Sequence, residues 1–236
     1  MARDLVKIAF ISDLHYSLFP NSACPERRGE YMPSILAKTV KKINAEVKAD
    51  LLLVGGDLIN FPEAEEAERL TAIIADILSL ADNMECVVIR GNHDISQERF
   101  VKYFPFKEVT DIDFVRIVAF DDAETPNYNA NRSLSDLKRM RKNAEFDGVK
   151  FLFQHTPLLP RERCIYSYDN AEEILQLMSE LNYRGALSGH FHQGIELFEE
   201  NNLQFFVQSA LCESPFAASL LTISENGIEC VEKIVS

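Results

Sequence analysis

Four things are missing from this chain of 236 residues, and each absence closes off a class of protein. No two cysteines stand in C-x-x-C spacing. The five, at 24, 86, 164, 212 and 230, are odd in number and scattered, which argues against a disulfide framework and for reduced thiols in a cytoplasm. No apolar run is long enough to span a bilayer, so no membrane partner is expected. Basic charge is scarce, with 24 lysines and arginines against 37 acidic residues and a net charge of -13. Such a surface disfavours nucleic acid, whose capture rests on neutralising phosphates, but it leaves room for a small anionic substrate at a local positive spot. Finally, there is no internal repeat, low-complexity segment or linker, and the length suits a single domain over residues 1–236.

What is present is a regular alternation. The stretch MARDLVKIAFISDLH has an acidic residue ahead of a very short apolar run, so it reads as a first strand and not as a signal peptide. VKIAFI (6–11), LLLVG (51–55) and CVVI (86–89) are short, continuous and rich in β-branched residues, as strands covered on both faces are. Between them, Leu36, Val40, Ile43 and Val47 form one helical stripe, and Leu70, Ile73, Ile74, Ile77 and Leu78 another. Strand, helix, strand implies parallel pairing with right-handed crossovers. FVRIVAF (114–120) follows, then a polar loop and a helix capped by Ser133 with Leu134, Leu137 and Met140 facing inward. Next come VKFLFQ (149–154), a helix over 171–181 opened by Asp169 or Asn170, and RGALSG (184–189). The last part changes pattern: GIELFEE and LQFFVQS flank Asn201-Asn202, and FAASLLTIS and IECVEKIV flank Glu225-Asn226-Gly227, so two antiparallel hairpins finish the chain.

In open α/β sheets ligands gather at the carboxyl ends of the parallel strands. Those ends carry Ser12-Asp13-Leu14-His15, Gly55-Gly56-Asp57-Leu58-Ile59-Asn60, Gly91-Asn92-His93-Asp94, His155-Thr156-Pro157 and His190-Phe191-His192. All five histidines of the chain fall there. Residues two apart on an extended chain project to one side, so His190 and His192 can face one object. Imidazole, carboxylate and amide oxygen together suit Mn²⁺, Fe²⁺, Zn²⁺ or Ni²⁺, with manganese or iron favoured. Seven candidate ligands, Asp13, His15, Asp57, Asn92, His155, His190 and His192, are too many for one ion, so two ions sharing a carboxylate is the economical arrangement. The cations would also offset the repulsion between Asp13 and Asp57.

The ordered set D-x-H (13–15), G-D-x-x-N (56–60), G-N-H-D (91–94), H (155) and G-H-x-H (189–192) resembles the calcineurin-like metallophosphoesterases over most of the chain. The resemblance implies an α/β fold, a four-layer α/β/β/α sandwich of two mixed sheets flanked by helices. It also implies a phosphoester hydrolase with a two-metal centre that activates water and stabilises the attacking and leaving oxygens. Carried over position by position, it puts Asp13, His15, Asp57 and His192 on one ion and Asp57, Asn92, His155 and His190 on the other. His93 becomes the general acid for the leaving oxygen. Asp94 is left with two roles, orienting His93 or capping the following turn.

One departure matters. The protein Ser/Thr phosphatase branch continues its second motif as G-D-x-x-D-R-G, where this chain has Asn60-Phe61-Pro62. The short D-L-H and G-D-L-I-N forms are more similar to the cyclic-nucleotide phosphodiesterase and nucleotide-pyrophosphatase branches. A phosphodiester or nucleotide (di)phosphate is therefore the favoured substrate, with a small phosphomonoester or a non-catalytic scaffold role as alternatives. A DNA-repair nuclease is disfavoured by the acidic charge. Three long loops, 16–30, 121–132 and 158–169, should rim the site. Their Arg27, Arg28, Arg161 and Arg163, with Arg132 beside them, are candidates to grip phosphate, and Tyr128, Tyr166 and Tyr168 to stack on a base. Cys86 and Cys164 lie near site motifs and are assigned no chemistry.

Overall fold

The computed structural model describes residues 4–81, 84–160 and 162–235. The first half alternates as its hydrophobic pattern requires: β1 (Val6–Ile11), α1 (Met32–Lys42), β2 (Leu51–Val54), α2 (Ala67–Leu78), β3 (Glu85–Val88) and a single turn, α3 (Gln97–Phe100). The π turn Ile43–Val47 prolongs α1, and Lys48 closes it in the left-handed region. Then come β4 (Val109–Ile112), β5 (Val115–Ala119), β6 (Ala123–Thr125), β7 (Asn129–Asn131), α4 (Leu134–Lys142), β8 (Val149–Phe153), α5 (Ala171–Glu180) and β9 (Gly185–Ser188). The chain ends in β10 (Ile195–Glu200), β11 (Leu203–Val207), β12 (Ala217–Ser224) and β13 (Gly227–Val235).

Two large mixed sheets result, in the orders β13-β12-β1-β2-β3 and β10-β11-β9-β8-β5-β4. β1, β2 and β3 run parallel, as do β5, β8, β9 and β11. Alternate residues of each strand feed different layers. Along β1, Val6, Ile8 and Phe10 face the second sheet and meet Phe151, Phe153, Leu187 and Phe206, while Ala9 and Ile11 face α1 and α2. The far side of the second sheet is covered by Leu137 and Met140 of α4 and by Ile174, Leu177 and Met178 of α5. Three successive cores therefore separate four layers, α/β/β/α, the sandwich that the resemblance implies.

Local readings differ from the structure in four places. The two terminal hairpins part company: β10–β11 completes the second sheet, and β12–β13 returns to the first and pairs antiparallel with β1. Loop 121–132 contains the β6–β7 ribbon, and β4 stands ahead of β5 as the edge of its sheet. Both pieces are too short or too polar to show a period. Ser133 does cap α4 by accepting from the Asp136 N–H, yet Leu134 is exposed, because the first helical position lies before the residues that reach the sheet. Asn170 precedes α5 without capping it; its amide instead brackets Arg132, accepting from the N–H at 3.1 Å and donating to the carbonyl at 3.0 Å.

Candidate metal centre

The parallel strands of both sheets end on the same side, and their loops are tied to each other by main-chain hydrogen bonds. Asp13 N–H donates to Gly56 O at 3.0 Å and His15 N–H to Asp57 O at 2.8 Å, and Gly189 N–H donates to His155 O at 2.9 Å. The approach is close enough to restrict side chains: a Cβ on Gly91 would strike the Asp57 carboxylate, and one on Gly189 would strike Ser12 Oγ. Backbone conformation is also spent here. Asp13, His15, Asp57 and His190 all adopt positive φ (54°, 45°, 53° and 66°), a region that residues with a Cβ enter at a cost and that recurs where side chains must be aimed.

All seven candidate ligands converge. His15 Nε2 lies 3.0 Å from His192 Nε2 and 3.4 Å from Asp57 Oδ2, and His192 Nε2 lies 3.6 Å from Asp13 Oδ1. On the other side of the same Asp57 Oδ2, His155 Nε2 stands 3.4 Å away, 3.1 Å from Asn92 Oδ1 and 3.1 Å from His190 Nδ1. Ring nitrogens face ring nitrogens at these distances, an arrangement that lone pairs converging on a shared ion would give. Two donors that share an ion at about 2.0–2.2 Å stand about 3.0–3.5 Å apart, which is the spacing found. Asp13 Oδ1, buried and aimed into the group, has no hydrogen-bond partner. Several of the outward-facing atoms are held by the chain: Asp13 Oδ2 accepts from His190 N–H at 2.9 Å, Asp57 Oδ1 accepts from His93 N–H at 2.8 Å, and His155 Nδ1 donates to Gly55 O at 2.7 Å, while His15 Nδ1 and His190 Nε2 are buried without a partner. The donor set fits a pair of divalent cations.

Electrostatics agree. Burial lowers the pKa of His15 well below its usual value, and burial with the nearby His155 takes His190 down to about 3, so both rings offer lone pairs. At His155 burial opposes the charged ring, but Asp57 and Asp13 outweigh it and raise the pKa to about 10. Without cations, the two buried carboxylates hold that proton.

His93 sits at the edge of this group. Its Nδ1 donates to the main-chain carbonyl of Asn60 at 2.9 Å, so the ring is oriented by an amide oxygen and not by a carboxylate. Asp94 does not perform that task. Its Oδ1 accepts from Leu58 N–H at 2.7 Å and Ile59 N–H at 3.3 Å, and its Oδ2 from Gly91 N–H at 2.8 Å, so the carboxylate is turned upstream, not to the following turn, and ties the second motif to the third.

Above the group opens a cleft of about 530 Å³ lined by Arg27, Asp57, His93, Tyr128, Tyr166 and Phe191, among others. The Tyr166 ring lies 4.4 Å from that of His190 and 6.5 Å from that of Tyr128. Of the arginines expected at the rim, Arg27 alone among the described residues lines the cleft, with Nη1 3.4 Å from Asn60 Oδ1. Arg28 is exposed beside Glu30 at 3.8 Å, and Arg163 pairs with Glu200 at 2.7 Å over the Phe198 ring. Both stand beside acidic neighbours and neither lines the cleft. Arg161 lies outside the described residues. Arg132 is wholly buried, with Nη2 2.7 Å from Asp122 Oδ2 and its guanidinium 3.7 Å above the Phe120 ring, and the Tyr168 hydroxyl donates to the same carboxylate. Neither can meet a substrate in the cleft.

Sequence reasoning missed Glu213. Its carboxylate accepts a short hydrogen bond from His192 Nδ1, and it lines the cleft. Cys212, left out of the cluster by spacing, is buried behind it: its sulfur, a His192 nitrogen and a Glu213 oxygen all lie within 4.8 Å of one another. Burial pushes that thiol far up, so it stays protonated and packs. Neither residue belongs to a local motif, and both come from the crossover between the sheets.

Among solved structures, the chain is similar to a dimetal phosphatase from Danio rerio (LOC 393393), with a TM-score of 0.75 and 13% identity over 98% of both chains. It is also similar to GAP50, the anchor in the inner membrane complex of Plasmodium, with a TM-score of 0.63 and 10% identity over 99% of this chain and 85% of that one. At such identities these likenesses speak for the fold. No curated protein sequence matches the chain. The model of the calcineurin-like phosphoesterase family matches residues 6–194, which hold every candidate ligand, and the chain therefore belongs to that family of hydrolases acting on phosphoester bonds.

Proposed function

We propose that the protein hydrolyses a phosphodiester or a nucleotide (di)phosphate, using His93 as general acid. One observation carries the reading: a single cleft joins Asp57, Asn92, His190 and His192, the exposed face of the donor cluster, to walls bearing Arg27, Tyr128, Tyr166 and Phe191. Asp13, His15, Asp57 and His192 would hold one divalent ion and Asp57, Asn92, His155 and His190 the other, where the pair would lower the pKa of a water and offset charge on phosphate oxygens. Manganese or iron is our choice, since nitrogen and oxygen donors alone face the centre.

The chain's own groups supply the rest. Arg27 binds phosphate oxygens beside the metals. With Nδ1 committed to Asn60 O, His93 is free to present Nε2 to the leaving oxygen and to donate its proton there. Tyr166 and Tyr128 offer aromatic faces for a base, and a volume of about 530 Å³ accommodates a nucleotide. The five free thiols suit a reducing cytoplasm, and no helix among the described residues is long and apolar enough to cross a membrane.

The test compares bis-p-nitrophenyl phosphate with p-nitrophenyl phosphate on protein stripped of metal and reloaded with Mn²⁺. Faster turnover of the diester is expected. Preference for the monoester would replace the reading with a phosphomonoesterase. Inertness toward both, with two metals bound, would favour a scaffold role of the kind the Plasmodium anchor's name carries.

A further inference from the structure

The two histidines of the G-H-x-H motif are supported very differently. His190 is aimed by its own backbone and by Asp13, and its Nε2 is buried with no hydrogen-bond partner. His192 is held at both ends by one segment, residues 210–213, which carries the chain from β11 back to β12. Ala210 N–H donates to His192 O at 3.0 Å, and the Glu213 carboxylate accepts from His192 Nδ1. The same segment reaches the other metal-bearing loop. Leu211 N–H donates to Ser12 O at 2.9 Å, Cys212 N–H to Asp13 O at 3.3 Å, and Arg28 N–H donates to Cys212 O at 2.8 Å.

We infer that Glu213 is the positioning residue for His192 and sets how tightly the cation of the Asp13/His15/His192 side is held. The inference rests on the two-metal reading above. A ligating imidazole must keep its proton on the nitrogen turned away from the ion, and a carboxylate there fixes the tautomer, locks the ring and raises the basicity of the other nitrogen. Glu213 is placed for all three. His192 Nε2 points at the donors, 3.0 Å from His15 Nε2 and 3.6 Å from Asp13 Oδ1, while Nδ1 points at Glu213. Among the described residues the other side has no such device: His155 Nδ1 donates to the neutral Gly55 carbonyl, Asn92 presents an amide, and His190 Nε2 has no hydrogen-bond partner. Negative charge behind the ligands is therefore concentrated on one of the two cation positions. Because Glu213 arrives on the crossover between the sheets, docking of the returning hairpin and completion of this half of the centre are one event.

The experiment titrates metal-free protein with Mn²⁺ by calorimetry and reads the loaded protein by electron paramagnetic resonance, for the wild type, Glu213→Ala and Glu213→Gln. Wild type should take up two equivalents and show a spin-coupled pair. Glu213→Ala should keep one equivalent at wild-type affinity, lose about 10- to 100-fold at the other, and show an isolated Mn²⁺ signal at intermediate loading. Glu213→Gln, whose amide oxygen still accepts from Nδ1, should recover most of that loss. Two equivalents at wild-type affinity in Glu213→Ala would overturn the role of Glu213 and leave the two-metal reading standing. An equal loss at both positions that glutamine does not rescue would likewise overturn it, by making the residue merely structural. Fewer than two equivalents in the wild type would remove the two-metal reading and the inference with it.

Discussion

The floor of the cleft and its rim are built on opposite principles. On the floor, Asp13, His15 and Asp57 are at most 1% exposed, each stands within a few residues of a strand end, and Asp57 Oδ2 faces donors from two other loops. At the rim, Tyr128 is 57% and Ile165 77% exposed. There, the chain is held by the short β6–β7 ribbon and by exposed pairs such as Arg163 with Glu200. The floor is overdetermined, with left-handed backbone held at four ligands, whereas the same conformation at Asn127, Tyr128 and Glu162 of the rim lies at exposed positions, where few buried contacts constrain the chain.

The contrast can be broken most severely at its shared point. Asp57→Ala removes the one carboxylate that faces both groups of donors, so metal content should fall from two ions per chain and turnover drop to background, measured together by elemental analysis and diesterase assay. His93→Gln should instead leave metal content intact and cost about 10²- to 10⁴-fold in kcat, the usual worth of a positioned acid. Loss of metal in that variant would make His93 a ligand. One rim residue behaves like the floor: Arg132 is buried against Asp122, and Arg132→Met strands that carboxylate, which should cost about 3–5 kcal/mol in urea unfolding. The smallest effects separate two arginines. Arg27→Ala should raise KM through loss of a charged hydrogen bond worth about 1.5–3 kcal/mol, with kcat nearly kept. Arg163→Ala, an exposed pair, should change stability by less than about 0.5 kcal/mol and leave both constants unchanged.

Much of the floor was legible because its signals are local. A strand of β-branched residues followed within four positions by histidine or aspartate needs no knowledge of distant chain, and five such endings converge once the strands are parallel. Asp94 misled for the opposite reason: its neighbour His93 is one bond along the chain, yet its carboxylate is filled by N–H groups of Leu58, Ile59 and Gly91. Leu134 carried the right period at the wrong end of its helix. The rim arginines had no period to read, and Arg28, Arg132 and Arg163 each stand beside a carboxylate while Arg27 reaches the Asn60 amide.

By itself, then, the sequence determined the alternation of strands and helices and the strand-end placement of the seven candidate donors and His93, since hydrophobic period and strand-end chemistry are written in runs of a few residues, while the four layers and the role of His93 came from the family resemblance. Only the tertiary structure decided which arginine enters the cleft, that Asn60 supplies a carbonyl to His93, and that Glu213 stands behind His192. Those contacts join residues 21 to 33 positions apart through the return of the last hairpin and the docking of neighbouring loops. No local pattern encodes them, because their geometry exists only after the sheets have closed.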